Sequence, residues 1–284
     1  MKNILKNLKL IFMIAIFANA CTERIDIDLD QQEFARIVVE GAISTDTTAH
    51  LITLSKTTDY FDDQPPTPVT NAQVTIFNDM EEYQLTEKPA NSGRYFTESD
   101  VYGEVGREYE MKILLDEEIG GELEYHASSS IYPINQLDSI QLEFHDDWGE
   151  YGFWEIKCYV WDPPTTDYYM FYVYRNGAPC NDTITEVFVV DDLLYNGNYT
   201  NGIGVAYLDQ GAAHQMLQPG DEVTLRVSRI TEDYTNFLWE VQEEVSFNTP
   251  LFSGPPANVQ GNINNGGFGA FAAYSNSYAS AVVE

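Results

Sequence analysis

Residues 35–56 read ARIVVEGAISTDTTAHLITLSK. Two short runs, 36–43 and 50–56, flank the turn residues Ser44-Thr45-Asp46. Ile37, Val38 and Val39 make the first run β-branched, and in the second Leu51, Thr53 and Ser55 alternate with Ile52 and Leu54. Alternation with a period of two is the mark of a strand with one buried face. The pattern continues downstream at 68–76, 81–85, 93–96, 106–113 and 124–131. About seven short strands at roughly ten-residue spacing predict a β-sandwich over residues 36–131. The loop 57–67, rich in Asp and Pro, carries Tyr60 and Phe61 at its tip.

Within this stretch Val69, Asn71, Ala72 and Val74, then Gly93 and Tyr95, then Gly106 and Tyr109 resemble the transthyretin-like or carboxypeptidase-regulatory type of immunoglobulin-like domain. The glycines suit turns, where a positive φ costs them nothing, and the tyrosines suit packing across a sandwich. The resemblance implies a spacer or docking module.

Tyr132-Pro133 breaks the alternation, which places a domain boundary at 131–136 and a second β-rich domain at 132–284. Strands are expected at 137–145, 153–161, 168–175, 183–190, 205–209 and 221–230. The runs 153–161 and 168–175 read as a hairpin around Asp162-Pro163-Pro164-Thr165-Thr166-Asp167. Two loops are aromatic: 146–152 with Trp148 and Tyr151, and 191–204 with Tyr195 and Tyr199. One helix is expected over about 231–247. Thr231 is its N-cap, Glu232 and Asp233 suit the positive end of the helix dipole, and Tyr234, Phe237, Leu238, Val241 and Val245 form an apolar stripe. Trp239 lies off that stripe. Residues 261–267, rich in Gly and Asn, read as flexible backbone, and 268–273 as a last strand. The fold class is therefore all-β: two β-sandwich-like domains in tandem, with one helix packed on the second.

At the other end, Lys2, Lys6 and Lys9 precede an apolar run over 10–18, and Ala18-Asn19-Ala20 precedes Cys21. A basic start, a short apolar run and a small-residue cleavage site make residues 1–20 a secretion signal. The run is too short to span ~30 Å of hydrocarbon as a helix. Cleavage leaves Cys21 first, as the site of lipid attachment. Acyl chains, at ~0.8 kcal/mol per buried methylene, then hold the protein on a membrane through the tether 21–35.

Three of the 14 Lys and Arg residues lie in that signal, leaving 11 against 45 acids and a formal charge of −34. Nucleic acid is excluded as a partner, because phosphate neutralisation needs clustered Lys and Arg. Adhesion to anionic lipid by charge is excluded too, so the anchor must supply membrane residence. The acids occur in small groups, among them Asp26, Asp28 and Asp30, then Asp146-Asp147 and Asp191-Asp192. Such groups either solvate the surface or offer oxygens to calcium, but no Asp-x-Asp-x-Asp-Gly loop is present.

The four histidines, His50, His126, His145 and His214, form no zinc-type pair, and His145-Asp146-Asp147 is the one local metal-like cluster. No Gly-x-Ser-x-Gly elbow, phosphate loop or Cys-x-x-Cys occurs. No metal ligand set, cofactor or catalytic residue is read. Cys158 shares a strand face with Trp154, Ile156 and Val160. In the expected hairpin, Cys180 lies ~30 Å beyond the residue opposite Cys158 at ~3.4 Å per residue, far past the ~7 Å Cα limit for a disulfide. A buried free Cys158 is expected.

Several stretches fall in one order: Cys21-Thr22-Glu23 with Ile25 to Leu29; Val38-Val39-Glu40-Gly41; Leu54-Ser55-Lys56-Thr57; Pro68-Val69-x-Asn71-Ala72; Asp162-Pro163-Pro164; and Phe252-x-Gly254-Pro255-Pro256 with Gly261-Asn262-Ile263 and Gly267 to Phe271. Together they resemble the Bacteroidota lipoproteins catalogued as domain-of-unknown-function family 4249. The resemblance implies an outer-membrane lipoprotein, often encoded beside a TonB-dependent transporter, and it carries no catalytic residues. The expected function is non-enzymatic: ligand capture for such a transporter, or docking onto it. Tyr60, Phe61, Trp148, Tyr151, Tyr195 and Tyr199 are the expected contacts, because aromatics bury much area with few rotors. A structural or adhesive surface protein is the alternative, and an unrecognised hydrolase a minor one.

Overall fold

The computed structural model describes residues 35–58, 64–181, 183–246 and 259–284. Cys21, Tyr60 and Phe61 lie outside the described residues. Ala35–Glu284 clusters as one compact unit. The strands are β1 (Ile37–Ser44), β2 (Leu51–Lys56), β3 (Gln73–Phe77), β4 (Glu82–Gln84), β5 (Thr86–Glu87), β6 (Arg94–Phe96), β7 (Glu108–Ile119), β8 (Glu122–Ser130), β9 (Ser139–His145), β10 (Phe153–Tyr159), β11 (Tyr168–Arg175), β12 (Ala178–Pro179), β13 (Phe188–Asp191), β14 (Ile203–Asp209), β15 (Glu222–Ile230) and β16 (Phe268–Val282), with α1 (Glu232–Ser246) between the last two. No helix among the described residues is long and apolar enough to cross a membrane.

One long sheet carries the molecule, in the order β12-β11-β15-β16-β1-β2-β6-β5, with β13 also paired to β11. Two small sheets, β4-β3-β7-β8 and β14-β10-β9, lie against it as separate layers. The first layer encloses a core of Ile37, Val39, Ile52, Val74, Tyr109, Met111, Tyr125 and Phe271, among others. The second encloses Leu137, Ile156, Cys158, Phe171, Val173, Val205 and Leu225, among others. The change expected at 131–136 is thus a change of hydrophobic cluster, while the sheet beneath runs on without a break.

β16 makes that continuity. Its first half pairs in parallel with β1, from Val38 opposite Phe268 to Ser44 opposite Tyr274. Its second half pairs antiparallel with β15, from Arg229 opposite Ser275 to Glu222 opposite Val282. Phe271 and Ala273 belong to the first core, and Ala279 and Ala281 pack against the second. Odd-numbered residues share one face of a strand, so both small sheets cover the same face of the long one. The strand was expected to end at 273. Its second half, Tyr274-Ser275-Asn276-Ser277-Tyr278-Ala279-Ser280, lacks the apolar alternation that marks a strand.

The hairpin expected over 153–175 does not form. β10 pairs with β9 and β14, whereas β11 pairs with β15 and β13. The reason lies in the faces of β11. Phe171 and Val173 point into the second core, while Met170, on the other face, joins Val187, Val189, Ile230 and Leu238 beneath the helix. A strand buried on both faces belongs inside the covered sheet, and Pro163-Pro164 lead the chain across to it. Cys158 and Cys180 are both buried and free. The thiol expected to be free is free, but β10 and β11 lie in different sheets rather than in one hairpin.

The helix forms as its sequence directs. Thr231 Oγ1 accepts the Tyr234 N–H at 3.2 Å, and Glu232 and Asp233 occupy the first turn. Leu238 is buried, while Val245, expected on the apolar stripe, is 55% exposed. Trp239 Nε1–H donates to the Val189 carbonyl at 3.0 Å, and the Gln242 amide donates to those of Ile184 and Val187 at 2.9 and 2.7 Å. Residues 184–186, expected as strand, form a 3-10 turn that those carbonyls tie to the helix.

Residues 261–267 are not loose backbone. Asn264 N–H donates to the His126 carbonyl at 3.0 Å, and its Oδ1 accepts the His126 N–H at 2.7 Å. Asn262 donates to Ser128 and Phe271 carbonyls, and Asn265 to that of Glu124. The asparagine side chains thereby satisfy the outer edge of β8, which would otherwise present unpaired groups to other chains.

Tyr95 and Tyr109 are fully buried. Tyr95 Oη donates to the Val69 carbonyl at 2.9 Å and accepts the Ala72 N–H at 3.0 Å. Gly93 (φ +67°) and Gly106 (φ +88°) turn the chain as expected.

His50 is also buried, and its Nε2 has no partner. Burial holds its pKa below the usual 6.5, against weaker opposing effects of the Val101 backbone and the Asp46 charge. The unfolded chain therefore binds this proton more readily, so stability is full above about pH 6.5 and falls as pH drops below it. One such proton is worth at most about 1.4 kcal/mol per pH unit. In urea titrations the wild-type protein is expected to lose more stability between pH 7.5 and 5.5 than His50→Gln. Equal losses would show that His50 is not an acid-sensitive point.

Candidate functional site

Between the β14-β10-β9 layer and the long sheet lies a cavity of about 270 Å³. Its walls are apolar: Leu137, Val160, Phe171, Val190, Val205 and Val227 line it. Trp161, Leu194 and Tyr195 join them from the loops, with Asp162, Asp191 and Asp192 as the charged members. Leu194 is 86% and Trp161 62% exposed. Exposed apolar groups leading into an apolar cavity are the usual surroundings of a small-molecule site.

Two loops build the mouth, and the backbone zips them together. Asp162 N–H donates to the Asn198 carbonyl at 3.0 Å, Gly197 N–H to that of Pro163 at 3.2 Å, and Thr200 N–H to that of Val160 at 3.0 Å. Thr200 Oγ1 accepts the Val160 N–H and donates to the Cys158 carbonyl, at 3.0 and 2.9 Å. Trp161 and Tyr199 close the zip, their rings 5.3 Å apart. Pro163-Pro164 and the tight turn at 192–198 make these short connections geometrically possible.

Beside the cavity three acids converge. Asp162, Asp167 and Asp192 are all buried, and each offers a carboxylate oxygen within 4.8 Å of the others. Asp167 forms an ion pair with Arg229 and accepts the Thr165 hydroxyl at 3.0 Å. Asp162 accepts the Tyr169 hydroxyl at 2.8 Å and the Gly197 N–H at 3.2 Å. Asp192 Oδ2 accepts the Asp167 N–H at 3.0 Å, while its Oδ1 is buried without a partner. Burial, and then the charges of Asp162 and Asp167, push the Asp192 carboxyl up to about 6. Burial also raises that of Asp167, with Arg229 opposing.

The aromatic residues singled out from the sequence divide between two places. Tyr195 lines the cavity, and Tyr199 packs on Trp161 at its mouth. Trp148 instead stacks on His145, ring centroids 3.8 Å apart, and Tyr151 lies 62% exposed beside Gly211. Those two sit at the start of β10, ~20 Å from its cavity end at ~3.3 Å per residue. Neither lines the cavity that Tyr195 lines. His145 meets Glu143 and Glu155 rather than the neighbouring Asp146 and Asp147, with Nε2 2.9 Å from Glu155 Oε2. Lys157 pairs with both glutamates there, which makes that group an ion-pair network.

Phe171 and Val190 carried no signal as site residues; Asp192 stood among the acid groups open to calcium and Asp162 and Asp167 at the ends of a turn, but their convergence was not expected. Each acid stands in a turn-rich stretch, where Asp is common for local reasons. Asp167 and Asp192 are 25 residues apart, and no local spacing announces their meeting.

Cys158 lines the cavity, yet burial pushes its thiol up to about 11 from a usual 9.0. Its thiolate fraction at neutral pH is thus about 100-fold below that of a free thiol, which makes it a poor nucleophile. A Cys21→Ser protein is expected to react with a thiol reagent such as DTNB at least about 100-fold more slowly folded than in denaturant. Fast labelling of two thiols in the native state would contradict the burial of Cys158 and Cys180.

A family model described as "Domain of unknown function (DUF4249)" matches residues 22–279. That match covers most of the chain, so the chain belongs to this family. No curated protein matches it.

Proposed function

We propose that this member of the DUF4249 family is a non-enzymatic, lipid-anchored accessory protein of the outer membrane, which captures a small, largely apolar ligand for a TonB-dependent transporter. The observation that carries the reading is the apolar cavity with Tyr195, Leu194 and Trp161 at its loops. Apolar walls supply affinity by area, at about 25 cal/mol per Å² removed from water. The few polar groups, Asn135, Thr200 and the aspartates, orient a ligand through its hydrogen-bond donors. Burial holds the Cys158 thiol protonated, so at this wall it offers a ligand contact rather than a nucleophile. Cys21 supplies the anchor, and a net negative charge leaves lipid attachment as the means of membrane residence.

The test has two arms. The full-length protein is purified from membranes in mild detergent and its companions identified by mass spectrometry. Separately, binding of the neutral apolar fluorophore N-phenyl-1-naphthylamine is measured for wild type and Val160→Trp, which fills the cavity. The expected results are a co-purifying transporter, loss of membrane residence in Cys21→Ala, and dye binding abolished by Val160→Trp at unchanged circular dichroism. A protein that brings down no transporter and binds dye equally well with the cavity filled is not a capture protein. A surface-exposed protein without either property would instead be structural or adhesive.

A further inference from the structure

We infer that Asp162, Asp167 and Asp192 form a calcium site that ties together the two loops at the cavity mouth. This goes beyond ligand capture and stands whether or not the cavity takes a ligand.

Two observations carry it independently. The first is geometric: three carboxylate oxygens from three separate places in the sequence lie within 4.8 Å of one another. Two oxygens on opposite sides of a calcium ion, at ~2.4 Å each, stand ~4.8 Å apart. The second is an orphan. Asp192 is 4% exposed, and its Oδ1 is buried with no hydrogen-bond partner. A buried carboxylate oxygen left bare costs more than a hydrogen bond returns, and buried charges are normally paired or bound to metal.

Charge points the same way. Among the described residues Arg229 is the cationic side chain paired with the group, through Asp167. Three carboxylates and one guanidinium leave a formal charge of −2, which a divalent cation cancels. The remaining contacts come from neutral donors: the Tyr169 and Thr165 hydroxyls and the Gly197 and Asp167 N–H groups. They hold the carboxylates in place, and the second lone pairs of those oxygens remain for an ion.

The donor set selects the metal. It is all oxygen, without histidine or cysteine, which favours calcium or magnesium over zinc or copper. Magnesium prefers near-ideal octahedral geometry and keeps several waters. A buried set that draws three ligands from the protein suits calcium better. Asp162 and Asp192 line the cavity, so the cavity is also the ion's way in. Asp162 and Asp167 bracket the Pro163-Pro164 loop, and Asp192 opens the 192–198 turn. An ion held by all three fastens one loop to the other.

The experiment uses the full chain, stripped with EDTA and returned to chelator-free buffer. Calcium is titrated calorimetrically, and terbium is titrated with excitation of tyrosine, since Tyr169 is hydrogen-bonded to Asp162. One saturable site is expected, with terbium emission that calcium displaces and magnesium displaces at least about tenfold less well. Calcium should raise the unfolding temperature of the wild type by mass action. Asp192→Asn and, separately, Asp162→Asn should each weaken calcium at least about tenfold and remove that rise. Circular dichroism in EDTA checks that both variants fold. Asp100→Asn, an exposed acid elsewhere, should change nothing. Weak, many-site binding that Asp192→Asn and Asp162→Asn leave untouched would overturn the site, as coating by surface acids. Equal affinity for magnesium at these residues would overturn the assignment to calcium.

Discussion

Gly269→Ala is expected to destabilise the protein by at least about 3 kcal/mol, a large share of the 5–15 kcal/mol that holds a typical domain together. Gly269 sits in β16 with φ at +86°, opposite Val39 of β1. A non-glycine residue in such a conformation costs about 1–3 kcal/mol by itself. The larger penalty is steric. A Cβ at this position would stand 2.0 Å from the Val39 carbonyl oxygen and 2.9 Å from its carbon. Those are backbone atoms of a paired central strand, so no side chain can rotate away to make room.

The position matters because β16 belongs to both halves. Opening the β1–β16 ladder removes Phe271 from the first core and loosens the strand that closes the second. Gly106→Ala separates the two causes. Gly106 also has a positive φ, +88°, but an added Cβ there meets nothing within 4 Å. It should cost the conformational term alone, about 1–3 kcal/mol. Urea denaturation followed by circular dichroism gives both values. Equal costs would mean that β16 does not approach β1 as closely as described.

Arg229→Met is expected to cost about 3 kcal/mol or more, because it leaves a buried carboxylate without its ion-pair partner. The Asp167 side chain is wholly buried, and Arg229 is its partner. Asp162 and Asp192 lie beside it, so two further carboxylates oppose the uncompensated charge. Arg229 Nη1 also donates to the Pro133 carbonyl at 2.6 Å, and its guanidinium lies 5.4 Å from the Tyr132 ring centroid. The substitution therefore loosens the segment that crosses between the two cores.

The double variant Arg229→Met with Asp167→Asn tells charge from packing. Replacing a buried ion pair by neutral groups is often far less costly than breaking it. If electrostatics dominate, the double variant recovers at least half of the loss, measured in EDTA by urea denaturation. Recovery of none of it would assign the effect to the contacts with Pro133 and Tyr132.

The positions of most elements were legible because they depend on near neighbours. Residues 36–43 are β-branched and 50–56 alternate, and β1 and β2 form at Ile37–Ser44 and Leu51–Lys56. Thr231 followed by Glu232 and Asp233 announces a helix, and α1 begins there. The turn glycines, Gly93 and Gly106, declare themselves by the conformation they permit. The all-β class followed from these local rules, and the order of the motifs placed the chain in its family.

Partners were another matter. β10 and β11 looked like a hairpin, since adjacent strands joined by a short loop usually pair. Burial on both faces of β11 overrode that preference and sent it into the long sheet. Ser275 to Val282 extended a strand through Ser, Asn and Ala residues with no strand signal, because β15 pairs with it along its whole length. The aromatic loops were visible as loops, but only packing could assign Tyr195 to the cavity and Trp148 to the other end of β10.

The sequence by itself determined the strand and helix periods, the caps and turns, the acidic charge and Cys21, each a property of a residue and its immediate neighbours. The tertiary structure alone decided which strands meet, where the cavity opens, and that Asp162, Asp167 and Asp192 share one buried place. Periodicity acts over a few residues of chain, whereas hydrophobic burial and carboxylate convergence act through space, between residues whose separation in the chain carries no signal of their contact.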